Sequence, residues 1–134
     1  MSLSHHQIFE RYVYAGAILR DAGAVAALFT EDGVFEAPLV PAGHRLPRRL
    51  VGRAAIEEGL AVYHRDMTYP GVVDTERSTY VLHATTDPDV FVAEIDTVFE
   101  TPAGQHTTMS LAQIFRLRAG HIAVLRDYFA PPTA

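Results

Sequence analysis

The chain has 134 residues, 49% hydrophobic and 20% charged, and its 11 arginines against 16 acidic residues leave a formal charge of −5. A chain this long buries about two-thirds of its unfolded surface, enough for a core without staples; the absence of Cys, Lys, Asn and Trp removes thiol chemistry, disulfides, Schiff bases, a P-loop lysine and N-glycosylation. The negative balance argues against general nucleic-acid affinity, no apolar run reaches the roughly 18 residues of a membrane span, and the start lacks signal-peptide regions, so a cytoplasmic location is expected.

Ser4-x-x-Gln7 is a capping box, with Leu3 and Ile8 placed as a hydrophobic staple. It opens a predicted helix to about Arg20, with Ile8, Tyr12, Ala15 and Leu19 on one face. Asp21 caps a second, shorter helix whose apolar residues are Ala24, Val25, Leu28 and Phe29. Asp32-Gly33 forms a turn, and 34–37 is a short strand stopped by Pro38. Three prolines, two glycines and the basic residues His44, Arg45, Arg48 and Arg49 make 38–52 a loop long enough to act as a lid. A third helix runs from about Arg53 to His64 on the stripe Ile56, Leu60 and Tyr63. Beyond Gly71 the period becomes two, predicting strands near 77–85, 89–100, 107–118 and 121–129 with turn residues between them. Strands this close in sequence pair antiparallel. Helices first and strands afterwards make one α+β domain over 1–134, its three N-terminal helices packed on a curved antiparallel sheet.

Alternation sorts the faces of the strands. Glu94 and Asp96 share a face with Val90, Val92 and Val98, opposite Phe91, Ala93, Ile95, Thr97 and Phe99. On the next strand Met109, Leu111, Gln113, Phe115 and Leu117 go together; on the last, His121, Ala123, Leu125, Asp127 and Phe129. Both faces are apolar in places, so helices cover one and a partner subunit the other, which gives an expected homodimer. Asp127, between Leu125 and Phe129, is either desolvated, with its carboxyl pushed up toward acid/base work, or paired with Arg116 or Arg126 at a sheet edge. Glu94 and Asp96 either join it or face solvent.

His64 either completes a proton relay with Asp127 or is a cation at a helix C-terminus, the reading taken here. The seven histidines lack metal-ligand spacing, so no metal is expected, and no cofactor motif is present. Tyr12, Tyr14, Phe35, Tyr63, Tyr69, Met109 and Phe115 either line an apolar pocket for a small hydrophobic ligand or are core. The arginines between 45 and 53 either clamp a ligand carboxylate or keep the loop solvated, and solvation is the reading taken.

The segments DAGAVAALFTEDGVFE (21–36), VGRAAI (51–56), FRLRAGHI (115–122) and LRDYFAP (125–131), in this order and spacing, resemble the SnoaL-like branch of the nuclear transport factor 2 superfamily over nearly the whole chain. The resemblance implies a cone-shaped α+β fold, with a strongly curved, mostly antiparallel sheet wrapped around three helices and a deep pocket between them. Ketosteroid isomerases of that superfamily place a catalytic aspartate just before the proline that ends the first strand. That position is Ala37 here. Their second aspartate falls at Ala112 or Gln113, and only Tyr12 or Tyr14 matches their helix-one tyrosine, so isomerisation by that constellation is not expected. Limonene-epoxide hydrolases carry two aspartates matching Asp96 and Asp127, but Glu94 stands where their intervening arginine would be. SnoaL-like polyketide cyclases and phenazine-biosynthesis proteins imply an acidic pocket group shuttling protons on an aromatic or polyketide intermediate, which matches Asp127.

The expectation is a cofactor-free isomerase or cyclase acting on a hydrophobic carbonyl or aromatic compound. Asp127 is its acid/base, Glu94 or Asp96 the electrostatic neighbour, and Tyr14 or Gln113 the donor holding the substrate oxygen. Tyr12, Tyr63, His64, Phe115 and Met109 complete the expected site. The alternatives are a non-catalytic ligand-binding protein and an epoxide hydrolase working from Asp96 and Asp127.

Overall fold

Ser4 opens α1 (His5–Val13) as a capping box should: its hydroxyl accepts from the Gln7 amide at 3.1 Å, and the Gln7 side chain accepts from the Ser4 amide at 2.9 Å. The computed structural model describes residues 3–66 and 71–130. The single helix expected to Arg20 changes character. From Tyr14 to Ile18 it widens into a π-helix, whose i→i−5 bonding runs on to Leu19 N on Tyr14 O at 2.9 Å; the segment then closes with Asp21 N on Ala15 O at 2.8 Å and Arg20 N on Gly16 O at 2.9 Å, a nested pair one residue wider than that of a Schellman cap. Leu19 is thereby turned outward, 52% exposed, off the stripe predicted for it. Arg20 ends the segment in the left-handed region at φ 51°, which costs a residue bearing a Cβ about 1–2 kcal/mol.

Asp21 accepts from Ala24 N at 3.0 Å and starts α2 (Ala22–Ala26). The remaining elements are β1 (Phe29–Glu36), β2 (Arg49–Val51), α3 (Arg53–Asp66), β3 (Val72–Val73), β4 (Thr79–Ala84), β5 (Val90–Glu100), β6 (His106–Arg118) and β7 (His121–Tyr128). Phe29, expected in the second helix, begins a strand instead. The predicted Asp32-Gly33 turn survives as a bulge inside β1, because its pairing with β7 jumps from Phe29↔Ile122 to Val34↔Val124. Gly33 eases the crowding there: a Cβ would stand 3.0 Å from both Phe29 Cβ and the Thr30 carbonyl oxygen, which would have to give by a few tenths of an ångström.

The strands β4 to β7 form the predicted antiparallel meander, and the β6–β7 hairpin turns on Ala119 and Gly120 at φ 52° and 80°. β1 extends the sheet by pairing parallel with β7, and the order is β2-β1-β7-β6-β5-β3 with β4 also on β5. The architecture is α+β, with the helices packed on one face of a curved, mostly antiparallel sheet. β2 and β3 went unpredicted; strands this short carry no readable period.

Phe9, Phe29, Phe91, Phe115, Ile122 and Leu125 lie fully out of water. Phe91 and Phe115 stack with centroids 4.6 Å apart, and Phe9 meets Phe115 edge-on. Ile122 corrects the predicted alternation of the last strand. Arg116 pairs with Val124 and Leu117 with Ile122, so Ala123 is the extra residue of a bulge, and Ile122 joins Leu125 in the core. The 38–52 loop is fastened rather than loose. Arg48 Nε donates to Val40 O at 2.7 Å, Arg49 lies 3.6 Å from Glu36, Arg45 lies 3.4 Å from Asp66, and Val40 and Leu46 are buried. Arg45 and Arg49 stay mostly in water while they pair with Asp66 and Glu36, in keeping with the solvating role expected of them, and Arg48 bridges within the loop. No described helix is long and apolar enough to cross a membrane.

Candidate functional site

The widened helix, the end of α3 and the inner face of the sheet enclose a cavity of about 140 Å³. Tyr12, Gly16 and Arg20 reach it from the first helical segment, Tyr63 and His64 from α3, Leu46 from the fastened loop, and Ile95, Met109, Gln113 and Asp127 from the strands. The loop therefore supplies a wall of the cavity.

Asp127 is 6% exposed and Gln113 4%, and the two face each other across the β6–β7 ladder. Gln113 Nε2 donates to Asp127 Oδ2 at 3.1 Å. No arginine pairs with Asp127 among the described residues: Arg126 turns to the opposite face, donating to the Tyr128 hydroxyl at 2.5 Å and to Glu36 at 3.3 Å. Burial pushes the Asp127 carboxyl up to about 7, and the Gln113 hydrogen bond opposes this only in part. At neutral pH the group is divided between its base and acid forms.

Asp127 Oδ1, Gln113 Oε1 and His64 Nδ1 are buried with no hydrogen-bond partner. Atoms left in that condition cost about 1–3 kcal/mol each. All three belong to side chains lining the one cavity. Burial, followed by the nearby charge of Arg20, lowers the pKa of His64, while a hydrogen bond to the Arg20 backbone works the other way. The balance favours the neutral ring over the helix-terminal cation expected of it, although His64 does lie in the last turn of α3.

Other expected residues are placed differently. Glu94 and Asp96 are exposed on the outer face of β5, Glu94 against His83 and Asp96 accepting from Ser110 Oγ at 2.6 Å. Neither is a neighbour of Asp127, and the two-carboxylate arrangement of an epoxide hydrolase is not assembled in the cavity. Tyr14, at 59% exposure, points away from it. Phe115 is core behind Tyr12, with ring centroids 5.6 Å apart. Tyr12, Tyr63, Met109 and Phe35 do line the cavity; Tyr69 lies outside the described residues. Sequence reasoning missed Arg20 and Leu46 as wall residues. Leu46 carried a signal, being the lone leucine inside a basic run, whereas nothing in the sequence marks the π turn that precedes Arg20. Among the described residues no three His, Asp or Glu side chains gather as a metal site requires.

The model of the SnoaL-like domain matches residues 9–125. The chain belongs to the SnoaL-like domain family. Solved structures agree with this SnoaL-like assignment at the level of fold, that of the nuclear transport factor 2 superfamily. A phenazine biosynthesis-related protein from Pseudomonas aeruginosa is 20% identical with a TM-score of 0.67, covering 93% of this chain and 78% of that one. The Δ5-3-ketosteroid isomerase from a Mycobacterium species is 21% identical with a TM-score of 0.62, covering 90% and 88%. A hypothetical protein with a ketosteroid isomerase-like fold from Catenulispora acidiphila, in complex with trimethylamine, is 17% identical with a TM-score of 0.67, covering 96% and 88%. No curated protein matches the chain.

Proposed function

We propose that this SnoaL-like protein is a cofactor-free acid/base enzyme, an isomerase or cyclase acting on a small hydrophobic carbonyl or aromatic compound held in the cavity. One observation carries the reading: a carboxyl group poised near neutrality by burial, with one oxygen unpartnered, in the wall of an otherwise mainly apolar cavity. In the base form, Asp127 takes a proton from an activated position of the substrate. The resulting carboxylic acid returns that proton at a second position, so the enzyme ends each cycle unchanged. Gln113 holds the Asp127 carboxyl in place through its 3.1 Å hydrogen bond and is a positioning residue in this scheme. The homodimer expected from the two-sided apolar pattern belongs to the same reading, with the outer sheet face as its contact; sedimentation equilibrium measures it directly.

The test is hydrogen exchange. Ring-sized ketones, enones and phenols are incubated with the protein in heavy water at pH 7, and C–H to C–D exchange is followed by NMR. Catalysed exchange is expected with at least one class, falling about 10²–10⁴-fold in Asp127→Asn. Exchange that survives Asp127→Asn overturns the assignment, and tight binding without exchange makes this a ligand carrier.

A further inference from the structure

We infer that the cavity takes a single ring carrying a hydroxyl or amino group, whose O–H or N–H donates to the Asp127–Gln113 pair. The inference rests on the cavity being the substrate site, and it narrows a carbonyl or aromatic compound to a donor-bearing ring.

Size is the first argument. At about 140 Å³ the cavity is close to the roughly 150 Å³ apolar cavity that accommodates benzene, and well below the roughly 300 Å³ where pockets for drug-sized ligands begin. Phe35, Leu60, Ile95, Phe99, Leu111 and Phe129 give it walls suited to a ring.

Polarity is the second argument, and it is independent of the first. The Gln113 amide nitrogen is engaged by Asp127 Oδ2, so what the pair leaves without a partner is an amide oxygen and a carboxyl oxygen. An amide oxygen only accepts, and an ionised carboxylate oxygen only accepts. A ketone oxygen brought here adds a third acceptor to two unsatisfied ones. A hydroxyl or amino group supplies the hydrogen that both lack. With Asp127 ionised, the unpartnered atoms of this wall are acceptors and the second Gln113 N–H is the pair's one remaining donor, whereas an oxyanion hole is built of donors to a substrate oxygen. The cavity's own side-chain donors, Tyr12, Tyr63 and Arg20, belong to the helical wall.

The experiment compares phenol, toluene and cyclohexanone, three probes of similar size that differ in the group they present. Each is titrated into the wild-type protein at pH 8.5, where Asp127 is ionised, and dissociation constants are read from NMR shift changes. Phenol is expected to bind about 10-fold or more tightly than either other probe, and the double variant Gln113→Met, Asp127→Leu, which removes both acceptors, to bring phenol and toluene within about 3-fold of each other. Toluene or cyclohexanone binding as well as phenol overturns the inference, as does a phenol preference that survives the double variant. Failure of all three to bind overturns the ring-sized assignment. The wild-type ranking needs no variant to fold. It also stands apart from catalysis: if Asp127→Asn leaves hydrogen exchange intact, the acid/base reading fails while the phenol preference is still measured.

Discussion

On the outer face of the sheet Asp96 takes the Ser110 hydroxyl at 2.6 Å, Glu94 meets His83, and Glu36 lies between Arg49 and Arg126. On the inner face Asp127 has one amide and no cation. Exposed pairs of the first kind contribute little to stability, since water solvates them nearly as well as a partner does. The inner pair is a net cost, because two of its polar atoms are buried without partners. The buried carboxyl thus adds no stability at neutral pH, which accords with the acid/base role proposed for it.

The sharpest way to break that contrast is the pH dependence of unfolding. Asp127 rises from an ordinary 3.8 to about 7 on folding. The folded protein therefore holds a proton that the unfolded chain releases, so stability is fully present below about pH 4 and is lost as pH rises toward 7. The loss from this group is roughly 4 kcal/mol. Asp32 and Asp74 act in the opposite sense, because Arg118 and Arg77 hold their carboxyls below the usual range. Subtracting Asp127→Asn from wild type in urea titrations between pH 4 and 8 removes their contribution. A flat difference across that range would show Asp127 to be an ordinary carboxylate.

Much of this contrast was legible beforehand, and the reasons differ by element. Period-two alternation grouped Gln113 with Met109 and Leu111, Asp127 with Leu125 and Phe129, and Glu94 with Asp96 opposite Ile95 and Thr97, because the pleat fixes side-chain direction without reference to neighbours; it did not say which groups face the cavity, and Glu94 or Asp96 was expected beside Asp127. It could not show that no cation reaches Asp127, since Arg116 and Arg126 are one strand position away from any pairing a sequence allows. Alternation failed at Ile122, where one bulged residue reverses the faces behind it. The helical face failed at Leu19 for the matching reason, an extra residue in the turn. Bulges and π turns are decided by tertiary packing, and no propensity announces them.

A smaller effect is expected from Gln113→Leu. It removes the donor that opposes the burial of Asp127, so the carboxyl should move further above 7 in an NMR titration, with a stability loss of about 1–3 kcal/mol at pH 8.5 and less at pH 5. An unchanged titration would mean the hydrogen bond does not act on the carboxyl. Next comes the β6–β7 turn, whose Ala119 sits at φ 52°. Ala119→Asn tolerates that conformation better and should stabilise by about 0.5–1 kcal/mol, visible as a rise of roughly 2–4 °C in Tm. The smallest effect is predicted on the outer face, where Asp96→Ala should change stability by about 0.5 kcal/mol or less and leave any turnover intact. A large loss of turnover there would put chemistry on both faces and end the contrast.

The π turn at Tyr14–Ile18 has a consequence for how such a chain can change by insertion and deletion. A π turn is an α-helix carrying one residue more than its hydrogen bonds require. Deleting a single residue between Tyr14 and Ile18 would let the segment revert to α-helix. The chain behind the deletion, Arg20 and the Asp21 cap included, would then be rotated by about 100° relative to α1. One codon there resets the helical wall of the cavity without disturbing the strands that hold Asp127.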